Sequence, residues 1–235
     1  MSITISLLKK QFGEKVAVDI PDFTIHDGEL VGLVGNNGAG KTTLFRLILD
    51  LLHADNGKIQ IDDINPAISE TWKTTTGAYI DDGFLIDFLT PEEYFEFVAK
   101  VNNIDKQALQ ERIDKFTSFM SDEILGKKKL IRDFSAGNKQ KIGIIAALIN
   151  MPKLIILDEP FNFLDPSSQS ILMKILVDYN KQHGATIIVS SHNLQHTINI
   201  SSRIALMEHG QIIKDLPNTD RSAEKELEEY FEKNQ

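Results

Sequence analysis

Apolar and polar positions alternate over residues 3–8 and again over 16–25, which predicts two strands joined by a turn at Phe12-Gly13-Glu14-Lys15. A second turn, His26-Asp27-Gly28-Glu29, leads into Leu30-Val31-Gly32-Leu33-Val34, a run with no polar residue. The period then changes: Leu44, Leu47, Ile48, Leu51 and Leu52 recur at helical spacing. Asp55-Asn56-Gly57-Lys58 closes that helix and opens a short strand, Ile59-Gln60-Ile61. From about residue 84 the pattern is helical throughout. Thr90-Pro91-Glu92-Glu93 is a capping box ahead of Tyr94, Phe95, Phe97, Val98 and Val101; a second helix is expected over 105–120 and a third from Ser135 to just before Met151-Pro152. Strands return with Leu154-Ile155-Ile156-Leu157 and Thr186-Ile187-Ile188-Val189, fully apolar runs of the kind buried on both faces, separated by a helix starting at Asp165-Pro166. Glu208-His209-Gly210 reads as a hairpin turn. Residues 220–235 read as an acidic amphipathic helix with Leu227, Tyr230 and Phe231 on one side. The expected architecture is an α/β domain over 1–235 with a mixed sheet and a helical subdomain inserted at 84–150.

Composition narrows the partners. Hydrophobic residues make up 42% of 235, enough for a sizeable core. The formal net charge of -9 argues against a nucleic-acid-coating surface, and Lys127-Lys128-Lys129 reads as a solvated loop. Without cysteine there is no disulfide framework and no thiolate metal site. Residues 1–10 lack the layout of a secretory leader, and the longest apolar helix, around 142–149, is too short to span a bilayer.

The chemistry is concentrated in one loop. Gly35-Asn36-Asn37-Gly38-Ala39-Gly40-Lys41-Thr42 fits G-x-x-x-x-G-K-[ST] between a predicted strand and a predicted helix. Its glycines let backbone N–H groups approach phosphate oxygens, and the helix start adds partial positive charge. Lys41 can reach the β- and γ-phosphates, and the Thr42 hydroxyl can ligand Mg²⁺. This defines a phosphate-loop NTPase core. Asp158 and Glu159 stand at the carboxyl end of a buried strand, the edge where open α/β sheets bind ligands. Asp158 suits the metal and Glu159 an attacking water. Ser135 is a natural helix cap, with Gly137 leaving the backbone bare beside it. His192, just past the strand ending at Ser190, could reach a γ-phosphate, although a lone histidine at such a place is more often structural. The other five histidines lie in turns or on polar faces and are given no role.

Over roughly residues 2 to 215, and in the same motif order, this chain resembles the ATP-binding cassette (ABC) family. Phe12 matches the aromatic residue that stacks on adenine. Gly35, Asn36, Asn37, Gly38, Ala39, Gly40, Lys41, Thr42 and Thr43 match Walker A, and 154–159 match Walker B. Phe134-Ser135-Ala136-Gly137-Asn138 matches the LSGGQ signature, Asn162-Phe163-Leu164-Asp165 the D-loop, and His192 the switch histidine. The resemblance implies ATP and Mg²⁺ as cofactors and a head-to-tail pair of cassettes, either a homodimer or a heterodimer. ATP would sit between Walker A of one copy and Ser135, Ala136, Gly137 and Asn138 of the other. It also implies that Glu159 and His192 are the catalytic residues, that the helical subdomain docks a separate transmembrane permease, and that the chain sits on the cytoplasmic face of the membrane through that permease.

Three departures stand out. Asp81, in Gly77-Ala78-Tyr79-Ile80-Asp81-Asp82, replaces the usual glutamine, so its contact with the metal is expected to run through water. Ala136 replaces the first signature glycine. Phe161 and Phe163 put two large aromatics where smaller residues are common, and so alter the expected dimer interface. The segment from Asp81 to Tyr94 resembles single-cassette subunits of drug- and peptide-type exporters. The expected function is therefore the ATPase subunit of an exporter. The competing reading is a soluble ABC-family ATPase acting on ribosomes or DNA, which the acidic balance disfavours; a phosphate-loop kinase is less compatible with Ser135-Ala136-Gly137.

Overall fold

Two sheets organise the chain. The computed structural model describes residues 1–233, the side chains of 231–233 aside. The elements are β1 (Ile3–Phe12), β2 (Lys15–Ile25), β3 (Leu30–Val34), α1 (Lys41–Ile48), β4 (Asn56–Ile61) and β5 (Thr76–Tyr79), then the helices α2 (Pro91–Val101), α3 (Lys106–Asp114), α4 (Thr117–Met120) and α5 (Ala136–Ile149). They are followed by β6 (Leu154–Leu157), α6 (Pro166–His183), β7 (Thr186–Ser191), α7 (Leu194–Ile200), β8 (Arg203–Glu208), β9 (Gln211–Pro217) and α8 (Ala223–Lys233). β2-β1-β4 form an antiparallel sheet. The larger sheet has the order β5-β6-β7-β3-β8-β9, parallel except for the β8–β9 hairpin. It is therefore mixed, as expected.

The apolar runs explain where the larger sheet sits. Side chains alternate faces along a strand. Leu154 and Ile156 of β6 pack with Leu44, Phe45 and Ile48 of α1 and with Ile3, Ile5 and Leu8 of β1. Ile155 and Leu157 pack on the opposite side with Ile142 and Ile145 of α5 and Leu172 and Leu176 of α6. With both faces covered, no position in β3, β6 or β7 can be polar without a partner, which leaves the strand ends as the place for chemistry.

Caps set the helix boundaries. Thr90 Oγ1 accepts from Glu93 N at 3.3 Å and Glu93 Oε2 accepts from Thr90 N at 2.8 Å, closing the capping box before α2. α5 lies close against β5 because both carry glycine at the contact. A Cβ on Gly77 would stand 2.0 Å from the Ala147 carbonyl oxygen, and one on Gly143 2.1 Å from the Tyr79 ring. The helix that begins at the signature is thereby pressed onto the strand that runs into Asp81.

The structure departs from the sequence pattern in four places. α1 stops at Ile48 rather than continuing to Leu52. Asp50 has φ 53°, and Leu51 N and Leu52 N both donate back to the Arg46 carbonyl, terminating the helix and leaving Leu51 exposed. The helix expected over 105–120 is broken at Lys115–Phe116. Lys115 N and Phe116 N donate three residues back there, and Phe116, Phe119 and Met120 all bury in the core. α7 was not legible as a helix; its start is fixed by Asn193, whose side chain accepts from Gln195 N at 3.0 Å. Phe12 is the last residue of β1 rather than part of a turn. At the other end, Leu227 of α8 is buried with Ile204 and Leu206, and Tyr230 Oη donates to Glu208 Oε2 at 2.9 Å. The expected place of Phe231 on this face, and residues 234–235 of that helix, lie outside the described residues.

Candidate nucleotide-binding site

β3 delivers the chain to the phosphate loop. Gly35 lies so close to β8 that a Cβ there would stand 2.2 Å from the Met207 carbonyl oxygen, and Gly38 and Gly40 take φ of 84° and 111°, which side-chain-bearing residues rarely adopt. Gly40 caps α1 with no side-chain hydrogen bond, so the N–H groups of the first turn remain available to an anion. Lys41 is buried. Its Nζ donates to the Gly35 carbonyl at 2.6 Å and lies 3.3 Å from Glu159 Oε1.

The ends of β6 and β7 bring the remaining polar groups to the same place. Asp158 Oδ2 accepts from the Thr42 hydroxyl at 2.5 Å, and its other oxygen accepts from the Ser190 hydroxyl. Burial pushes the Asp158 carboxyl above the usual carboxylate range and the Glu159 charge adds to this, while the two hydroxyl bonds and Lys41 oppose it. Glu159 has φ 46°, a left-handed conformation unusual outside glycine, and its N–H donates to Ser190 Oγ at 2.8 Å. Held in that conformation, its carboxylate spans two elements: Oε1 faces Lys41, while Oε2 accepts from the His192 backbone N–H at 3.2 Å and lies 2.8 Å from His192 Nδ1.

Phe12 is half exposed. It lines a cleft of about 260 Å³ together with residues 37–43, Lys15, Ala17 and Glu159. Asp81 shares a second cleft, of about 250 Å³, with Asp158, Glu159, Ala136, Gln140 and Phe163. Within it, the Asp81 carboxylate accepts from Arg46 Nη2 at 3.1 Å and from Gly83 N at 2.9 Å. Ser135 caps α5, with Oγ accepting from Asn138 N at 3.3 Å. Neither Ser135, Gly137 nor Asn138 lines the phosphate-loop cleft of its own chain. Gly137 abuts the loop after Walker B: a Cβ there would stand 2.5 Å from the Phe163 carbonyl oxygen. Asp165 caps α6, accepting from Ser168 N at 3.0 Å and from Ser168 Oγ at 2.6 Å, bonds that hold its carboxyl below the usual range.

Two sequence expectations are corrected. Of the paired aromatics, only Phe163 projects into solvent; Phe161 is buried with its ring 4.9 Å from that of His196. His196, set aside as a polar-face residue, is therefore partly buried, and that burial lowers its pKa. Sequence reading also passed over Ser190, Arg46 and Lys15. Ser190 was accessible to the strand-end argument already applied to Asp158, whereas Arg46 carries no local signal because its partner is 35 residues away.

Fold and site together define a phosphate-loop nucleotide-binding cassette. Residues 18–162 match the model of the family described as ABC transporter, and the chain belongs to that family as an ATP-binding ATPase subunit. It is 31% identical over 215 residues to a bacitracin transport ATP-binding protein of Enterococcus faecalis, covering 89% of this chain and 67% of that one. It is 29% identical over 215 residues to a tungstate uptake system ATP-binding protein of Peptoclostridium acidaminophilum, covering 90% and 97%. A solved structure of an ATP-binding subunit of an ABC transporter superposes with a TM-score of 0.83 at 26% identity, covering 94% of this chain and 91% of that one.

Proposed function

We propose that this chain hydrolyses Mg-ATP between two cassettes and so drives export through a separate transmembrane permease on whose cytoplasmic side it sits. The observation that carries the chemistry is Glu159, held in a left-handed conformation between Lys41 and His192. Phe12 stacks on adenine, the phosphate loop and Lys41 take the β- and γ-phosphates, and the triphosphate competes with Glu159 for the Lys41 ammonium. Glu159 then accepts a proton from water as the water oxygen attacks the γ-phosphorus and the bond to the β-phosphate breaks. His192 holds the γ-phosphate. Thr42 and Asp158 fit a hard dication: two oxygen donors 2.5 Å apart, one a buried carboxylate whose charge lacks a full cationic partner. When bound there, Mg²⁺ supplies charge neutralisation on the phosphates. Ser135, Gly137 and Asn138 line neither the phosphate-loop cleft of their own chain nor the cleft that Ala136 shares with Glu159, which favours use of the signature by a second cassette.

Export rests on the segment from Asp81 to Tyr94. No described helix is long and apolar enough to cross a membrane, in keeping with a pore made by another subunit. The tagged chain, expressed with its neighbouring genes, should co-purify with a permease from detergent-solubilised membranes. Recovery with ribosomes or nucleic acid instead would favour the alternative reading, a soluble ABC-family ATPase.

Asp81 provides a second test. Arg46 ties it to α1, and its neighbour Asp82 lies 4.0 Å from Lys139 Nζ on α5, so this pair of acids bridges the phosphate-loop helix and the signature helix. Asp81→Asn is expected to lower transport more than basal ATPase rate, measured in the same proteoliposomes. An equal loss of both would contradict this role.

A further inference from the structure

Against the Phe12 ring lies a lysine that the nucleotide reading does not use. β1 pairs with β4 only as far as Lys9, so its last residues, Lys10, Gln11 and Phe12, are held on that side by a single carboxylate. Asp55 Oδ1 accepts from Lys10 Nζ at 2.9 Å, Asp55 Oδ2 accepts from Gln11 N at 2.6 Å, and Asp55 N donates to the Lys9 carbonyl at 2.8 Å. Lys10 Nζ stands 5.5 Å from the centroid of the Phe12 ring, within cation–π range. The Lys10 side chain is only 15% exposed, unusual for a lysine near a strand end. Phe12 lines the nucleotide cleft and Lys10 does not, so the ammonium meets the ring from outside that cleft.

We propose that Lys10, anchored by Asp55, is a positioning residue for nucleoside recognition: it fixes the Phe12 ring and presents its free face to the base. This rests on the reading that Phe12 stacks on adenine. A half-exposed ring on a hairpin end has open rotamers, and a ligand that orders it gives up part of its binding free energy. A cation seated against the ring removes that freedom before the nucleotide arrives. It also draws π-density from the ring, which strengthens stacking with an electron-rich purine. Because Lys10 is outside the cleft, its effect falls on the nucleoside and leaves the phosphates untouched.

Isothermal titration of the full chain with Mg-ATP and with Mg-tripolyphosphate separates these contributions. Lys10→Ala is expected to raise the Kd for ATP about two- to five-fold, the range for an exposed cation–π contact, and to leave that for tripolyphosphate unchanged. Asp55→Asn, which weakens the anchor, should move ATP in the same direction, and Lys10→Arg should bind both ligands as the parent does. Parent-like ATP affinity in Lys10→Ala, or equal weakening for both ligands, would overturn the proposal. Phe12→Leu distinguishes the two layers. If it weakens ATP by about five- to 150-fold while Lys10→Ala does not, the positioning role alone fails. If it too binds ATP as the parent does, the stacking reading fails with it.

Discussion

Glu159→Gln is expected to bind Mg-ATP with the affinity of the parent and to hydrolyse it about 10²–10⁴ times more slowly, the usual contribution of a positioned acid–base group. The substitution keeps the size of the side chain and its ability to accept from the His192 N–H, while removing the basicity needed to take a proton from water. Binding should survive because the phosphate loop is held independently of this side chain: Ala39 N donates to the Asn36 carbonyl at 3.1 Å, and the Ala39 carbonyl accepts from Gly210 N at 2.8 Å. Neutralising Glu159 also removes a competitor for Lys41, 3.3 Å away. With ATP persisting between two cassettes, the variant should run as a dimer in Mg-ATP and as a monomer in Mg-ADP, read by size-exclusion chromatography with light scattering. Normal turnover would remove Glu159 from the chemistry. An inactive variant that stays monomeric with ATP would leave Glu159 in place and count against the dimer. Phe163, which projects from the D-loop, would then be the first residue to examine; Phe161 is buried and would not be.

Lys41→Ala should lose tight ATP binding, by about 10²–10⁴-fold. In the proposed complex the ammonium would make two charge-assisted bonds to the β- and γ-phosphates, each worth about 1.5–3 kcal/mol. In the structure it is buried and bonded to the Gly35 carbonyl, so it lies inside the ring of the loop. The fold should persist, since Gly35 packs against the Met207 carbonyl of β8 and Gly40 against the Ala17 carbonyl of β2, backbone contacts that no side chain at 41 supplies. Titration with Mg-ATP, beside circular dichroism of the same sample, checks both halves. Parent-like affinity in a folded variant would remove the phosphate-loop assignment.

How much of this was legible in the chain depends on the range of each interaction. The phosphate loop, the caps at Thr90, Ser135 and Asp165 and the two-faced strands β6 and β7 are specified by neighbouring residues, and the structure has each where the sequence puts it. The missed boundaries have two causes. α1 ends early through a local backbone closure, in which the Arg46 carbonyl collects the N–H groups of Leu51 and Leu52, and the break before α4 accompanies tertiary burial of Phe116. In the site, residue types were legible but partners were not. Nothing local says that Asp81 meets Arg46 or that Ser190 bonds both Asp158 and the Glu159 N–H.

The contact between Gly137 and the backbone of Phe163 reaches furthest. Phe163 follows Glu159 by four residues in a short loop, and in the proposed pair Gly137 would lie on the surface that a cassette offers to its neighbour's nucleotide. In a head-to-tail pair, each chain therefore carries its own hydrolytic acid and its half of the other site's wall on backbone segments that touch. A shift of the loop when one phosphate leaves would then press on the wall of the second site. The two ATP molecules would then not be spent as independent events, and turnover by the pair would be a property of the assembly, with positive cooperativity in ATP as its expected outward sign.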